Sequence, residues 1–150
     1  MLGHKLVQCL SPYFDTYSTI RGKFASIEKY GIFARERIIE NVEATDPVIL
    51  ERIVAELSPD VVINAVGVVK QVPSAKDVIS TLELNSILPQ RLAILSKKYG
   101  FRLIHFSTDC VFDGGRGMYT EQDTPNALDL YGKSKQLGEV SQENVLTIRS

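Results

Sequence analysis

The sequence has no tryptophan and only two cysteines and two histidines among its 150 residues. Cys9 and Cys110 show neither CxxC spacing nor a neighbouring histidine cluster, so we interpret both as reduced thiols and expect no metal site. No apolar run approaches the roughly 20 residues that span a bilayer, and Met1 to Lys5 has no secretory-signal layout. These absences predict a cytoplasmic protein without a membrane partner.

Excess charge of either sign is also absent, because the formal net charge is −1 and the lysines and arginines are dispersed. This distribution provides no basic stripe for nucleic acid and no polybasic anchor for a membrane surface. A composition of 44% hydrophobic and 23% charged residues is typical of one globular domain with a real core. The oligomeric state stays open, with a homodimer as one expectation.

Helical and strand-like patterns alternate along the chain, which predicts an α/β fold with a doubly wound parallel sheet. The predicted elements are a helix over 1–10, a strand over 13–20, a short helix and loop over 23–37, a strand over 38–44, a helix from 46, a strand over 60–67, a helix over 77–99, a strand over 101–106, a glycine-rich loop over 113–117, a helix carrying Tyr131 and Lys135, and a strand over 145–148.

Three of these elements carry more detailed predictions. Asp46 and Pro47 are typical of a helix start, and the helix is expected to bury Ile49, Leu50, Ile53, Val54 and Leu57. The β-branched run over 60–67 predicts a central strand covered on both faces. The helix over 77–99 is expected to bend near Pro89, to end at Gly100 and to turn inward Leu84, Ile87, Leu88, Leu92 and Leu95.

Tyr131 and Lys135 are four residues apart on a predicted helix, so their side chains share one face. A nearby ammonium favours the phenolate, which makes such a pair suited to proton transfer near neutral pH. The spacing alone is weak evidence, because a solvated helix face produces it too. Its context is stronger, since the preceding strand ends at Ser107, Thr108 and Asp109, and ligands of open α/β sheets bind at the carboxyl ends of strands.

The segments 107–114 (STDCVFDG) and 131–139 (YGKSKQLGE) resemble the STDxVFDG and YGxxKxxGE motifs of the dTDP-4-dehydrorhamnose reductase group. This group belongs to the extended short-chain dehydrogenase/reductases, which have a Rossmann-like fold. Further matches are Asn64-Ala65 at a strand end, 85–89 (NSILP) in the next helix, and Thr45-Asp46-Pro47. The resemblance covers almost the whole chain.

The resemblance implies NAD(P)H-dependent reduction of a 4-keto nucleotide sugar, within nucleotide-sugar and surface-polysaccharide biosynthesis. Tyr131 would give its proton to the carbonyl oxygen, and Lys135 would depress the tyrosine pKa and hold the nicotinamide ribose. Thr108 would bind the same oxygen, and Asp109 would line the substrate pocket. The structural alternatives are a buried hydroxyl at the end of a strand for Thr108 and a loop cap for Asp109.

Cofactor contacts follow from the same resemblance. Arg21, just after the second family strand, suits a 2′-phosphate and favours NADPH, with NADH as the alternative and a surface arginine in a turn as the structural explanation. Glu43 takes the place of a family aspartate near the adenine. Backbone contacts are expected from Gly67, Val68, Phe106, Met1, Leu2 and Gly3.

The family begins with a strand and a GxxGxxG turn whose last glycine matches Gly3, and it ends with a smaller substrate domain. The resemblance therefore predicts that 1–150 is an incomplete NAD(P)-binding Rossmann domain without the first strand, the complete glycine turn and the substrate domain. Such a chain is expected to be marginally stable and catalytically inactive. Two other functions stay open, namely an epimerase or dehydratase of the same superfamily and a non-catalytic NAD(P)-binding regulatory subunit.

Overall fold

The computed structural model describes residues 2–70 and 77–150, and the chain divides into two compact units, one ending at Arg52 and one beginning at Ile53. Both units contain parallel strands and helices, as the alternating pattern predicts. Among the described residues, no helix is long and apolar enough to cross a membrane.

The first unit contains helix α1 (Leu2–Leu10), three 3₁₀ turns (Phe24–Ser26, Glu28–Tyr30 and Arg35–Arg37), and strands β1 (Ser18–Thr19) and β2 (Ile38–Ile39). The two strands pair in parallel, with Ser18 opposite Ile38. Helix α2 (Pro47–Leu57) follows, and Asp46 caps it by accepting hydrogen bonds from the amides of Val48 at 2.9 Å and Ile49 at 3.2 Å.

Both predicted strands of this unit are much shorter than the sequence pattern indicates. The amides of Tyr13 and Phe14 bond to the carbonyl of Leu10, so these residues form the last turn after α1 rather than the start of a strand. The second strand stops at Ile39 because Asn41 adopts a left-handed backbone conformation, with φ of 58°. The predictions of strands over 13–20 and 38–44 are therefore wrong in their extent.

The second unit is built on a three-stranded parallel sheet in the order β3 (Val61–Asn64), β4 (Arg102–Ser107) and β5 (Val145–Arg149). Its helices are α3 (Val78–Leu82), a π-helical turn (Glu83–Ile87), α4 (Leu88–Tyr99) and α5 (Leu130–Gly138). A 3₁₀ turn, Asp109–Val111, follows β4. The core side chains include Leu88, Leu92, Leu95, Phe101, Leu103 and Val111.

The β-branched strand is not central in this sheet. β3 pairs with β4 alone within the described residues, and Val61 is 46% exposed, so the prediction of a strand covered on both faces is wrong. β4 takes the central place, and its buried side chains alternate. A β-branched run favours the extended conformation, but it does not determine how many strands flank it.

The long helix over 77–99 is confirmed as a nearly continuous helical segment, but its bend is a π-helical turn before Pro89. Proline has no amide hydrogen, and its ring collides with the carbonyl four residues earlier, which here belongs to Asn85. The π-helical turn accommodates this collision and shifts the helical phase. Ile87 is consequently 41% exposed rather than inward, whereas Leu88, Leu92 and Leu95 are buried as predicted.

Helix α2 buries fewer side chains than its apolar face predicts. Ile53 and Val54 are buried, as expected. Ile49 and Leu50 are only partly covered, and Leu57 is exposed at the carboxyl end of the helix, so its predicted burial is wrong. The predicted helix end at Gly100 is confirmed, with φ of 80°.

Candidate active site and cofactor site

Helix α5 reaches the carboxyl end of β4 because Gly132 has no side chain. A Cβ atom at Gly132 would lie 2.2 Å from the carbonyl oxygen of Cys110 and 2.5 Å from the Cβ of Ala127. Asp129 caps the helix, its Oδ1 accepting from the Gly132 amide at 2.8 Å. The close contact places Tyr131, the neighbour of Gly132, beside the turn that follows Thr108.

Lys135 is 6% exposed, and its Nζ donates to the carbonyl oxygen of Phe106 at 2.5 Å. Burial lowers the pKa of Lys135, and the carboxylate of Glu139 opposes that shift. The ammonium is therefore fixed at the end of β4, on the face of α5 that Tyr131 also occupies. Its predicted effect on the Tyr131 phenol stays a prediction.

Thr108 is also buried, with 6% of its surface exposed. Its hydroxyl accepts from the Cys110 amide at 3.2 Å and donates to Oδ1 of Asp109 at 3.2 Å. In this structure the hydroxyl thus acts as the cap of a 3₁₀ turn, and Asp109 is exposed next to it. To bind a substrate oxygen, the Thr108 hydroxyl has to exchange its bond to Asp109 for that oxygen.

Asn85 is a site residue for which the sequence motif indicated no role. Its Oδ1 accepts from the Val68 amide at 2.8 Å, and its Nδ2 donates to the Val68 carbonyl at 3.1 Å and to Oγ of Ser134 at 3.1 Å. Ser134 Oγ in turn donates to the Tyr131 carbonyl at 2.8 Å. Asn85 therefore joins the exit of β3 to the helix that carries Tyr131 and Lys135.

Gly67 and Val68, which were predicted to contact the cofactor through their backbone, differ in their surroundings. The Val68 amide is already bonded to Asn85, so a cofactor contact from Val68 has only a carbonyl lone pair available. Gly67 is exposed, but a side chain there would be crowded, because its Cβ atom would lie 3.0 Å from Asn85 Oδ1 and 3.8 Å from Lys135 Nζ. Gly67, Lys135 Nζ and the Phe106 carbonyl thus lie close together near the ends of β3 and β4.

Glu139 follows α5 and was recognised in the sequence only as the last residue of a motif. Its carboxylate accepts from Arg149 Nε at 2.8 Å and Nη2 at 2.7 Å, and from Ser107 Oγ at 2.7 Å. Burial acts to raise the pKa of Glu139, but the hydrogen bonds from Arg149 and Ser107 hold it below its usual value. This pair connects the end of α5 to the ends of β4 and β5.

His105 is fully buried in β4 and is therefore a core residue. Its Nδ1 lies 3.2 Å from Nδ2 of Asn64, an amide donor, which indicates that Nδ1 carries no proton. Burial, reinforced by the positive charge of Lys135, lowers the pKa of His105 to about 4. The imidazole is therefore neutral at physiological pH.

A cavity of about 790 Å³ lies beside the 3₁₀ turn that follows β4. Asp109 and Cys110 line it on one side, and the segment from Phe112 to Glu121 contributes much of the rest. Lys70 and Asp129 also line it and form an ion pair at 2.7 Å. The hydrogen bond to Asp129 raises the pKa of Lys70, to which Cys110 and Tyr131 also contribute electrostatically.

The remaining predicted cofactor residues lie in the first unit, apart from Met1, which is outside the described residues. Leu2 and Gly3 begin α1. Arg21 and Glu43 are exposed on the segments that follow β1 and β2, and the Asn41 amide bonds to the Gly22 carbonyl at 3.2 Å. Arg21 and Glu43 thus lie on adjacent segments at the carboxyl ends of two parallel strands.

A model of the RmlD substrate binding domain family matches residues 17–149. The chain belongs to the RmlD substrate binding domain family. This family membership confirms the resemblance to the rhamnose-reductase group of extended short-chain dehydrogenase/reductases.

The chain is similar to curated proteins of more than one name. It is 36% identical over 96 residues to dTDP-4-dehydrorhamnose reductase of Burkholderia thailandensis, covering 63% of the chain and 32% of that protein. It is 34% identical over 105 residues to methionine adenosyltransferase 2 subunit beta of Bos taurus, covering 67% of the chain and 30% of that protein. The aligned stretch thus spans about a third of each relative.

One solved structure matches almost the whole length of the chain. The crystal structure of a hypothetical dTDP-4-dehydrorhamnose reductase from Sulfolobus tokodaii superimposes with a TM-score of 0.80 at 28% identity. The match covers 99% of the chain and 51% of the Sulfolobus protein. The parallel α/β fold is therefore the Rossmann-like fold of this group.

Proposed function

We propose that residues 1–150 are the NAD(P)-binding part of a longer reductase that reduces the 4-keto group of a nucleotide sugar with NADPH. The observation that carries the proposal is the convergence of three groups at the end of β4. Lys135 Nζ is bonded to the Phe106 carbonyl, Gly132 packs on the Cys110 carbonyl beside Tyr131, and Thr108 caps the adjoining turn. The 36% identity to a dTDP-4-dehydrorhamnose reductase, which is about three times as long as the aligned stretch, supports it.

The group of Gly67, Lys135 and the Phe106 carbonyl suits a cofactor ribose, since the Lys135 ammonium is a donor and the neighbouring Gly67 has no side chain. NADPH bound there supplies a hydride to the carbonyl carbon. Tyr131 donates its phenolic proton to the carbonyl oxygen, so that the ketone becomes an alcohol. Lys135 stabilises the resulting tyrosinate, and Thr108 holds the oxygen through its hydroxyl.

Arg21 carries the preference for NADPH over NADH. It is exposed just beyond β1, where its guanidinium is free to form a bidentate pair with a 2′-phosphate. Glu43, exposed beyond β2, is proposed to contact the adenine. In the longer protein, replacing Arg21 with Ala should weaken NADPH binding about tenfold and leave NADH binding unchanged, and an equal loss for both cofactors would contradict this role.

The reductase proposal is tested by Tyr131→Phe in the longer protein, which removes one hydroxyl and retains the ring. Turnover of NADPH with a 4-keto nucleotide sugar should fall by at least about a hundredfold, because general acid catalysis contributes roughly that much or more. NADPH affinity should change little. Undiminished turnover would exclude Tyr131 as the proton donor.

A second candidate is a non-catalytic NAD(P)-binding subunit. The 34% identity to a protein named methionine adenosyltransferase 2 subunit beta favours it, because that name describes a subunit of another enzyme. Retention of Thr108, Tyr131 and Lys135 favours the reductase. NADPH binding without NADPH oxidation in the presence of 4-keto nucleotide sugars would support the subunit.

A further inference from the structure

The cavity wall from Phe112 to Asp123 has a backbone that is costly to order. Gly114 and Gly117 adopt left-handed conformations with φ of 78° and 71°, and Met118 follows with φ of 50°. Glycine loses more conformational freedom on folding than any other residue, so a glycine-rich wall needs side-chain contacts that tie it down. The contacts that do so define a further set of positioning residues.

Two aromatic rings of this segment stack face to face. Phe112 and Tyr119 have centroids 4.4 Å apart and an interplanar angle of 3°. The guanidinium carbon of Arg149 lies over the Phe112 ring at 5.2 Å, and that of Arg116 lies over the Tyr119 ring at 4.8 Å. Since each ring already covers one face of the other, the two arginines occupy the outer faces. We call these four residues the arginine-aromatic stack.

Both ends of the arginine-aromatic stack are fixed by carboxylates. Arg149 is paired through two nitrogens with Glu139, directly after α5. Arg116 Nη2 pairs with Asp123 at 2.7 Å, and this pair, with the Thr120 amide, lowers the pKa of Asp123 to about 2. The stack therefore connects the far side of the loop to the helix that carries Tyr131 and Lys135.

The occupied ring faces exclude a role of Phe112 and Tyr119 in stacking on a nucleotide base. A nucleotide base binds aromatic side chains by stacking on an open ring face. Phe112 and Tyr119 have no such face, because an arginine covers each outer side. Both rings line the cavity. Their contribution is thus to hold the shape of the wall rather than to stack on a ligand.

The hydrogen bonds within the loop do not connect it to α5, as the stack does. The Asp113 amide bonds to Asn126 Oδ1 at 2.9 Å, and the Tyr119 hydroxyl bonds to Asp113 Oδ1 at 2.5 Å. These contacts shape the turn within the loop. The aromatic contact to Arg149, in contrast, connects the loop to the Glu139 carboxylate and hence to α5.

We propose that the arginine-aromatic stack is the element that positions the loop wall of the cavity against the catalytic helix. Its assignment to the nucleotide-sugar pocket rests on the proposed function, but its effect on the loop does not. Breaking the stack releases the wall, so that the backbone around the exposed Arg116 becomes mobile enough to enter a protease active site.

The test compares Phe112→Leu, which removes the stack, with Phe112→Tyr, which retains it, both in the 150-residue chain. We expect tryptic cleavage after Arg116 to accelerate about fivefold or more in Phe112→Leu. Phe112→Tyr should be cleaved at the rate of the unsubstituted chain. Tryptic cleavage after the exposed Arg21 provides the internal reference for general unfolding.

A second pair breaks the stack from the loop side if Phe112→Leu unfolds the chain. Tyr119→Phe removes the hydrogen bond to Asp113 and retains the ring, whereas Tyr119→Leu removes both. Acceleration in Tyr119→Leu alone supports the stack, and equal acceleration in both variants shows that the Asp113 bond holds the loop and overturns the proposal. Unchanged rates in every variant overturn it as well.

Equilibrium dialysis with dTDP separates the two proposals. If the cavity takes nucleotide sugars, dTDP affinity of the longer protein should fall about fivefold in Phe112→Leu and Tyr119→Leu but not in their aromatic counterparts. No dTDP binding by the longer protein would count against the proposed function of the cavity. The proteolysis rates would still decide whether the stack positions the loop.

Discussion

At the scale of single residues, the site depends on glycines that have no side chain as well as on the residues that react. Gly132 and Gly138 let α5 touch the Cys110 and Asn85 carbonyls, which brings the helix against both β4 and the π-helical turn. Buried polar groups fill the same region, namely His105, Asn64, Lys135 and Glu139. Each is matched to a specific partner, so small changes have large expected effects.

Replacing Gly138 with Ala should destabilise the chain by about 1 to 2 kcal/mol. The new Cβ would lie 1.9 Å from the Asn85 carbonyl oxygen, which cannot rotate away, and overpacking costs roughly 1 to 3 kcal/mol. This exceeds the roughly 1 kcal/mol that alanine gains over glycine in a helix. Urea unfolding measures the loss, with Gly22→Ala as the control, because its Cβ would approach nothing closer than 3.7 Å. Equal stability of the two variants would show that α5 has room to move.

The stability of the second unit should fall as pH drops from about 6.5 toward 4. His105 has a folded-state pKa of about 4, whereas an unfolded histidine titrates near ~6.5. In this window the unfolded chain binds more protons than the folded chain, so His105 contributes stability above 6.5 that is lost on acidification. Urea midpoints across pH should lose this slope in His105→Gln and keep it in His4→Gln. An unchanged slope in His105→Gln would contradict the assignment.

At the scale of elements, features that depend on neighbouring residues were predictable from the sequence, whereas features that depend on distant residues were not. The start of α2 at Asp46 and the end of α4 at Gly100 were predictable, because caps depend on neighbouring residues. The π-helical turn was not, since it depends on Pro89, Asn85 and the distant Gly138 packing together. The hydrogen bonds of Asn85 were missed for the same reason, because its partners Val68 and Ser134 are 17 and 49 residues away.

Replacing Asn85 with Ala should separate the exit of β3 from α5. It leaves the Val68 amide and carbonyl without their side-chain partner, at a cost of roughly 2 to 6 kcal/mol, since each unsatisfied buried group costs about 1 to 3 kcal/mol. Hydrogen exchange at the Val68 amide should accelerate strongly. Asn126→Ala, which removes an exposed acceptor, is the matched control and should leave Val68 unaffected. Unchanged exchange at Val68 in Asn85→Ala would show that another contact protects it.

At the scale of the whole molecule, each unit contains residues that are proposed to contact the cofactor. The second unit contains Gly67 and Lys135, and the first contains Arg21 and Glu43. The chain spans 51% of the Sulfolobus protein that it matches over 99% of its own length. The parallel fold was predictable from the alternation of elements, whereas the edge position of β3 depends on which strands are present to pair with it.

A calorimetric titration tests most directly whether this chain is the cofactor-binding part of an NADPH-dependent reductase. NADPH and NADH are titrated into the 150-residue chain and into the same chain extended at its amino end by a strand and a GxxGxxG turn of the family type. Lys135→Met in the extended chain serves as the control. We expect that only the extended chain binds, that it prefers NADPH, and that Lys135→Met weakens this binding. Tight binding by the 150-residue chain alone, or no binding by the extended chain, would contradict it.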